Sequence, residues 1–358
     1  MAIATRPTME QLLRLVVEQG ATDLHLTANL PPTLRLDDRL VPTDFAPLSG
    51  EDVKELAYSI VAQDKVERFE RWKELDFAFS VEGLARFRAN YFVQQGYVGA
   101  AIRVLPFRIM NFNELGLPTA IVTEMCQKPK GLILITGSTG SGKTTTLAAM
   151  VDYLNANQTY HMLTIEDPIE YLHTNKRSII DQREIGSDTQ SFAQGLKHVL
   201  RQDPDVILIG EMRDLETIES ALIVAETGHL VLATLHTSDA IQTVNRVIDV
   251  FPAHQQNQVR VQLSMELLGV ISQQLIPKAS GRGRVLATEV MIVNHAVRSL
   301  IREQKIHQLY SVLQTGQKEG MRTMNQTLFE LYSKRIISMD EALGRSTDPD
   351  DLMRLMHR

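Results

Sequence analysis

Hydrophobic and polar residues follow two different patterns in the two parts of this chain. Within residues 1–105, short segments such as Asp23–Thr27 and Thr33–Asp37 alternate polar and apolar side chains, which is typical of strands with one buried face. From about Ile121 onward, continuous apolar segments alternate with helical ones. That second pattern predicts an α/β domain with a mostly parallel sheet that is covered on both faces.

The first region is predicted to be a small α+β domain. Apolar residues at helical spacing predict a helix that ends at Gly20 and a second helix from Ser49 to about Trp72. Ser49 is the predicted N-cap of the second helix, because Asp52 follows three residues later as in a capping box. The remaining predicted strands of this domain are Leu75–Val81, Ala85–Val93 and Val98–Leu105.

A linker is predicted over residues 106–118, where prolines interrupt the periodicity, and the second domain is predicted to cover residues 119–358. The predicted strands of the second domain are Leu132–Thr136, His161–Ile165, Val206–Ile209 and Leu230–Leu235. Ligands bind at the carboxyl ends of the strands in sheets of this kind, and polar residues follow the later three of these strands. The region from about Val261 is predicted to be mainly helical, with a helix over Arg322–Arg335.

Length and composition narrow the class of protein. At 358 residues the chain is longer than one hydrophobic core usually accommodates, so two domains are expected. Its net charge of −6 argues against a nucleic-acid protein that works through a bulk basic surface. The single cysteine, Cys126, excludes a disulfide framework and a cysteine-based zinc site within one chain. No apolar stretch approaches the roughly 18 residues of a transmembrane helix, and the N-terminus lacks a signal-peptide pattern. We therefore expect a cytoplasmic protein.

The clearest chemical signal is a segment that matches the phosphate-binding pattern G-x-x-x-x-G-K-[ST] between a predicted strand and a predicted helix. Its glycines allow backbone N–H groups to point at phosphate oxygens. Lys143 is predicted to reach the β- and γ-phosphates of ATP, and the Thr144 hydroxyl is predicted to ligate Mg²⁺. The predicted nucleotide-binding residues are Gly137, Ser138, Thr139, Gly140, Ser141, Gly142, Lys143, Thr144 and Thr145.

Acidic segments follow two of the predicted strands. In the first segment, Glu166–Glu170, a carboxylate such as that of Glu166 is predicted to orient the attacking water as a general base or to hold Mg²⁺ through water. The alternative interpretation of this segment is a solvated acidic turn without a catalytic role. The second, Asp205–Asp214, resembles a Walker B strand, with Glu211 where an aspartate is usual. The longer side chain still allows the Glu211 carboxylate to reach a water molecule that is bound to Mg²⁺.

Histidines flank the last predicted strand, with His229 before it and His236 at its carboxyl end. At about 3.3 Å per residue the two lie roughly 20 Å or more apart, which argues against a shared metal ion. His236 is predicted to sense the γ-phosphate through a hydrogen bond, whereas a purely structural role stays open for His229.

Arginines lie near strand ends in the first domain, at Arg86, Arg88 and Arg103. A solvated face is the simplest interpretation of arginines in a strand. In a ring of subunits, however, such arginines would reach the phosphates bound by a neighbouring subunit and stabilise charge in the transition state.

Together these motifs resemble those of the secretion-superfamily ATPases, the hexameric motors of type II and type IV secretion and of type IV pili. The resemblance covers essentially the whole chain. It implies an N-terminal PAS-like α+β domain and a C-terminal RecA-like ATPase domain with a helical tail. The sequence boxes of this family occur here in order, as a phosphate loop (Gly137–Thr144), an acidic box (Thr164–Glu170), a Glu-type Walker B segment (Asp205–Asp214) and a histidine box (His229–Ala240).

The resemblance also implies a role for each residue that matches a box. Glu166 would be the catalytic glutamate, Glu211 would coordinate Mg²⁺ through water, and His229 and His236 would be the paired histidines of their box. Arg88 and Arg103 match the phosphate-contacting arginines of the family's N-terminal domain, and the neighbouring Arg86 leaves the assignment of Arg88 open.

Two features resemble the branch of the family that retracts pili. Extension and secretion ATPases carry an extra N-terminal domain and a tetracysteine zinc element, whereas this chain starts directly at the PAS-like domain and contains Cys126 alone. The segment Ala296–Glu303 also resembles the retraction signature AIRNLIRE, with Val297 and Ser299 as mild departures. The resemblance therefore implies a motor that hydrolyses MgATP to power pilus retraction and twitching motility.

The same resemblance implies the partners. We expect a homohexamer that acts on the inner-membrane platform protein of the pilus (a PilC-like protein), peripheral at the inner membrane and without transmembrane insertion or a nucleic-acid partner. Three alternatives are an accessory retraction ATPase of the same branch, a RecA-like nucleic-acid motor, and a regulatory protein that binds a nucleotide but hardly hydrolyses it. The acidic charge balance disfavours the nucleic-acid motor.

Overall fold

The computed structural model describes residues 6–36, 39–105 and 108–357, which divide into two units. Unit 1 extends to Arg108 and includes the short segment Pro168–Leu172. Unit 2 contains Ile109–Asp167 and the chain from His173 onward. Residues 106–107, where the predicted linker begins, and Asp37, at the end of a predicted strand, lie outside the described residues.

Unit 1 is an antiparallel sheet with helices against its apolar face, because alternate residues of the strands and one stripe of each helix share a hydrophobic core. The strands lie in the order β3-β2-β1-β6-β5-β4. The elements are α1 (Met9–Glu18), β1 (Asp23–Leu26), β2 (Thr33–Leu36), β3 (Arg39–Pro42), α2 (Gly50–Tyr58), α3 (Gln63–Trp72), β4 (Glu74–Val81), β5 (Ala85–Gln94) and β6 (Tyr97–Leu105).

The helix predicted from Ser49 to Trp72 is in fact two helices, α2 and α3. Ser49 caps α2, and Asp52 completes the capping box as predicted. Between the two helices, Ile60 and Val61 pack against the hydrophobic core of unit 1. The pattern also does not predict β3, since every residue of that strand is exposed and no alternation is present.

Unit 2 is a mostly parallel sheet with helices on both of its faces. The helices on each face form a separate hydrophobic core with the sheet. The strand order is β13-β12-β7-β11-β10-β8-β9, and β13 pairs antiparallel with β12 at one edge. Helices and strands of unit 2 are α4 (Phe112–Leu115), α5 (Thr119–Cys126), β7 (Gly131–Thr136), α6 (Lys143–Asn157), β8 (His161–Glu166), β9 (Ile179–Glu184), α7 (Phe192–Val199), β10 (Val206–Ile209), α8 (Leu215–Glu226), β11 (Leu230–Leu235), α9 (Ala240–Asp249), α10 (Gln256–Glu266), β12 (Leu267–Pro277), β13 (Arg284–Ile292), α11 (His295–Arg302), α12 (Leu309–Thr315), α13 (Met324–Ser333), α14 (Met339–Arg345) and α15 (Pro349–Met356).

The region after Val261 is mainly helical as predicted, but it also contains two strands that the sequence pattern does not predict. There β12 and β13 form a long antiparallel pair that extends the sheet beside β7. Periodicity alone does not separate a buried strand from a buried helix when the apolar run is short. The helix predicted over Arg322–Arg335 is present as α13, which Thr323 caps.

The segment predicted as a linker contains a helix. Phe112 of α4 is buried in a hydrophobic core of unit 2, so this helix packs as part of that unit.

Among the described helices, none combines the length and the apolar character that crossing a membrane requires.

Candidate functional site

The carboxyl ends of four neighbouring parallel strands bring the predicted site residues of unit 2 to one edge of the sheet. In the order β7-β11-β10-β8, these strands end at Thr136, Leu235, Ile209 and Glu166. Thr136 pairs with Leu235, and Ile209 pairs with both Ala233 and Ile165. The strand ends are therefore aligned, and the phosphate-loop segment, His236, Glu211 and Glu166 follow one another along this edge.

The segment predicted to bind phosphate connects β7 to α6. Gly137, Gly140 and Gly142 adopt φ angles of 141°, 78° and 92°, a region that favours glycine. The Lys143 ammonium lies inside the loop, where Nζ donates to the carbonyl oxygens of Gly137 at 2.8 Å and Ser138 at 3.0 Å. Gly142 has no side chain to cap α6, so the first N–H groups of this helix suit an anion.

Two buried polar atoms beside the loop lack a hydrogen-bond partner among the described residues, namely Ser141 Oγ and Gln273 Oε1. Gln273 Nε2 donates to Thr146 Oγ1 at 2.7 Å, so only the carbonyl end of this amide is unsatisfied. Unsatisfied buried polar atoms are rare in proteins. A bound phosphate would give the Ser141 hydroxyl an acceptor, which fits the prediction for this loop.

The Glu211 carboxylate is held by two neighbouring side chains. Arg213 donates from Nε to Oε1 at 2.6 Å and from Nη2 to Oε2 at 2.8 Å, and His236 Nε2 lies 3.1 Å from Oε1. Burial raises the pKa of Glu211, but the hydrogen bonds and charges of Arg213 and His236 outweigh it and lower the pKa overall. The carboxylate is therefore ionised at neutral pH.

Glu166 is the last residue of β8 and is 8% exposed. Its Oε1 accepts hydrogen bonds from Thr164 Oγ1 at 2.7 Å and from Gln182 Nε2 at 3.2 Å. Gly210 lies beside it, and a β-carbon at Gly210 would stand 3.3 Å from Glu166 Cα. The carboxylate is thus fixed at the sheet edge where the phosphate loop also lies.

The structure does not bring His229 to this edge within the chain. His229 precedes β11, and the next residue, Leu230, pairs with Gly131 at the start of β7. Its Nδ1 lies 3.1 Å from the carbonyl oxygen of Val224, at the end of α8. The separation along a strand of this length is roughly 20 Å. A catalytic role beside His236 in the same subunit is therefore not supported.

The predicted arginines of unit 1 lie in a row across the polar face of its sheet. Arg88 of β5 pairs with Arg103 of β6, and Arg103 pairs with Asp23 of β1, so their side chains share one face. Arg103 donates from Nε to Asp23 Oδ1 at 2.7 Å, while Arg35 Nε lies 3.7 Å from Asp23 Oδ2. The Arg103 side chain is 65% exposed, which leaves its guanidinium accessible from outside the unit.

Arg86 and Arg88 differ in how firmly they are held. Arg86 donates to the carbonyl oxygen of Ile169 at 3.1 Å and to Ser80 Oγ at 3.2 Å. Arg88 makes looser ion pairs, at 3.8 Å to Glu170 and 3.9 Å to Asp76. Arg88 is therefore the one whose guanidinium is more easily redirected to an external phosphate.

The model of the family described as "Type II/IV secretion system protein" matches residues 97–344, which is more than half of the chain. The chain belongs to the Type II/IV secretion system protein family. The matched range includes every strand of the unit 2 sheet together with β6, which carries Arg103.

Individual relatives within the Type II/IV secretion system protein family are similar over nearly the whole chain. The "Type IV pilus retractation ATPase PilT" of Pseudomonas aeruginosa is 48% identical over 95% of this chain and 98% of that protein. The "Type IV pilus ATPase PilU" of the same organism is 41% identical over 97% of this chain and 90% of that protein. A crystal structure of the pilus retraction motor PilT with bound ADP superposes with a TM-score of 0.91 at 50% identity, covering 97% of this chain and 99% of that one.

These similarities confirm the predicted fold class and the predicted family resemblance. The helix α11 carries the segment that resembles the retraction signature, and one face of this helix packs into a hydrophobic core of unit 2. Val297 and Ile301 are fully buried, and Leu300 packs against the same core. Arg298 Nη1 donates to the carbonyl oxygen of Met265 at 2.9 Å, near the C-terminus of α10.

The contacts of four polar residues in the described structure are not predicted from the sequence. Asp23 is 6% exposed and sits between two arginines, but its partner on β6 is distant in sequence, so no local spacing reveals the contact. Thr164 and Gln182 contact Glu166. Glu289 of β13 accepts from the N–H groups of Ala240 and Met324, at the starts of α9 and α13, and burial raises its pKa to about 7.

Gly137 and Gly140 provide a matched pair for testing the loop geometry. A β-carbon at Gly137 would overlap the carbonyl oxygen of Gln273 and the side chain of Ser141, whereas one at Gly140 would meet open space. We expect Gly140→Ala to cost about 1–2 kcal/mol from its positive φ alone. Gly137→Ala is expected to cost more and to weaken nucleotide binding at least about tenfold, because the loop must move. Thermal unfolding and nucleotide titration measure both effects, and equal effects of the two substitutions would contradict the assigned loop geometry.

Proposed function

We propose that this chain is the ATPase motor of type IV pilus retraction. The observation that carries the proposal is the full-length similarity to the retraction ATPase, together with four strand ends that align a phosphate loop and two carboxylates. Similarity to PilU is lower, which favours the main motor over an accessory one. As an enzyme, the chain hydrolyses ATP to ADP and phosphate.

The phosphate loop Gly137–Thr144 binds the nucleotide in this proposal. Its backbone N–H groups and the start of α6 surround the phosphates, and Thr145 contributes from the first turn. Lys143 exchanges its contacts with the Gly137 and Ser138 carbonyls for the β- and γ-phosphate oxygens. Because the ammonium is already directed into the loop, little reorganisation is needed.

Mg²⁺ fits the residues beside the loop. We assign Thr144 as a direct ligand through its hydroxyl and Glu211 as a ligand through water. The pairing of Glu211 with Arg213 and His236 supports water-mediated contact, since both carboxylate oxygens already accept hydrogen bonds. When bound, Mg²⁺ neutralises charge on the β- and γ-phosphate oxygens.

Glu166 is the proposed general base. Its carboxylate lies beside Glu211 along the same sheet edge and is nearly excluded from bulk solvent. There it accepts a proton from the attacking water, or orients that water for attack on the γ-phosphorus. His236, at the end of the strand next to the phosphate loop, senses the γ-phosphate and transmits its presence to Glu211 through their contact.

The site is completed by a neighbouring subunit of a homohexamer. Arg88 and Arg103 of one subunit contact the γ-phosphate bound by the next, and they stabilise charge that develops in the transition state. This assignment is supported by their exposure and by the row they form on one face of the unit 1 sheet. We assign His229 no role in hydrolysis within its own subunit, because it lies far from the phosphate loop of its own chain.

In the cell, the motor acts on the inner-membrane platform protein of the pilus, is cytoplasmic and does not bind nucleic acid. Deleting the gene and restoring it by complementation tests this function. We expect the deletion strain to carry excess surface pili and to lose twitching, with recovery on wild-type but not on Lys143→Ala complementation. Loss of surface pili would instead indicate an extension motor, and normal retraction in the deletion strain would indicate an accessory role.

A further inference from the structure

The Glu166 carboxylate is held by donors from two different strands. Thr164 precedes Glu166 by two residues on β8, so both side chains lie on the same face of that strand. Gln182 lies directly opposite Thr164 on the edge strand β9. The Thr164 hydroxyl and the Gln182 amide both donate to the same oxygen, Oε1 of Glu166, at 2.7 Å and 3.2 Å.

The orientation of the Gln182 amide is fixed by a third group. Its Oε1 accepts a hydrogen bond from the backbone N–H of His173 at 2.8 Å. A backbone N–H is always a donor, so the carbonyl end of the amide must face His173 and the amino end must face Glu166. The side chain of Gln182 therefore presents a donor to Glu166 and not an acceptor.

We propose that Thr164 and Gln182 are positioning residues for Glu166 in ATP hydrolysis; this rests on the proposed role of Glu166. The last torsion of a glutamate side chain is broad when nothing restrains it. Two donors from different directions on one oxygen restrict that torsion and aim the carboxylate. Donors also favour the ionised form, which is the form that accepts a proton from water.

Two substitutions at Thr164 distinguish a role in positioning Glu166 from a role in packing. One is expected to lower kcat, and the other is expected to lower Tm. Thr164 is 1% exposed. Thr164→Val keeps the shape and removes the hydroxyl, so we expect kcat to fall about 10- to 100-fold with KM for ATP within about twofold. Thr164→Ser keeps the hydroxyl and loses a buried methyl group, so we expect kcat within about threefold of wild type and Tm lower by roughly 2–4 °C.

A change at Gln182 tests the same role independently. Gln182→Glu retains the length of the side chain and an acceptor for the His173 N–H. It replaces the amide donor to Glu166 with a carboxylate, which also adds a like charge beside Glu166. We expect kcat to fall about 10- to 100-fold, again with little change in KM. In the Glu166→Gln background, neither Thr164→Val nor Gln182→Glu is expected to lower the residual rate further, because both act through that carboxylate.

The measurements are steady-state ATP turnover and thermal unfolding of the assembled full-length protein. The proposal is overturned if Thr164→Ser loses more activity than Thr164→Val, or if Gln182→Glu retains wild-type kcat. These outcomes leave the proposed function intact, provided that wild type hydrolyses ATP and Glu166→Gln does not. Absence of turnover in wild type would instead overturn the proposed function and, with it, the role of both residues.

Discussion

Lys143→Ala is expected to lower kcat/KM for ATP hydrolysis by a factor of about 10²–10³ or more. The reason is the loss of the single cation that the phosphate loop supplies, at the place where phosphate charge is highest in the transition state. Nucleotide affinity should fall as well, since the same ammonium contacts the ground-state phosphates. Turnover assays and nucleotide titration measure the two effects.

The fold should survive this substitution. Lys143 is 8% exposed, and its ammonium donates to two loop carbonyls, so removal loses those hydrogen bonds but also removes the cost of burying a charge. The matched control is Lys130→Ala, because Lys130 is exposed and precedes the same strand β7 at its opposite end. Wild-type turnover in Lys143→Ala, or an equal loss in Lys130→Ala, would contradict the assigned phosphate site.

Glu166→Gln is expected to lower kcat by about 10²–10⁴-fold while nucleotide binding is retained. Glutamine has nearly the same shape, and its carbonyl oxygen still accepts the hydrogen bonds from Thr164 and Gln182. What it lacks is the basic carboxylate that takes the proton of the attacking water. The informative measurement is therefore single-turnover hydrolysis of ATP that is already bound.

A suitable control for the loss of a carboxylate is Glu219→Gln, because Glu219 is exposed on α8 away from the strand ends. We expect that variant to hydrolyse ATP at the wild-type rate. Wild-type hydrolysis by Glu166→Gln would remove this residue from catalysis and would shift the role of general base to another group. Loss of nucleotide binding in Glu166→Gln would show that the substitution disturbs the phosphate loop.

Much of the site on unit 2 follows from the sequence for a simple physical reason. Parallel strands that end in register bring the residues after them to one edge, so identifying β7, β8, β10 and β11 already places the phosphate loop, Glu166, Glu211 and His236 together. The same reasoning separates His229 from that edge. The sequence places His229 before the predicted strand β11 and His236 after it, so the two histidines are expected at opposite ends of that strand. Only the family resemblance pairs them.

The parts that the sequence does not reveal depend on contacts between distant segments. Asp23 and Gln182 contact partners on neighbouring strands. Local hydrophobic periodicity predicts a strand but does not predict which other strands lie beside it in the sheet. The strands β12 and β13 are buried by helices from both earlier and later parts of the chain, so their apolar runs are compatible with either a helix or a strand. The exposed edge strand β3 has no hydrophobic pattern at all.

We propose that the phosphate loop of one subunit and the arginines of its neighbour form a single hydrolytic site. Mixing Lys143→Ala subunits with Arg103→Ala subunits tests this most directly, after each has been shown to be inactive alone. In a randomly mixed ring, about a quarter of the subunit interfaces pair an intact loop with an intact arginine, so ATP turnover should recover to about a quarter of the wild-type rate. A mixture with the double variant Lys143→Ala/Arg103→Ala replacing Arg103→Ala should stay inactive. Full activity of Arg103→Ala alone, or no recovery in rings shown by mass to contain both single variants, would contradict the shared site.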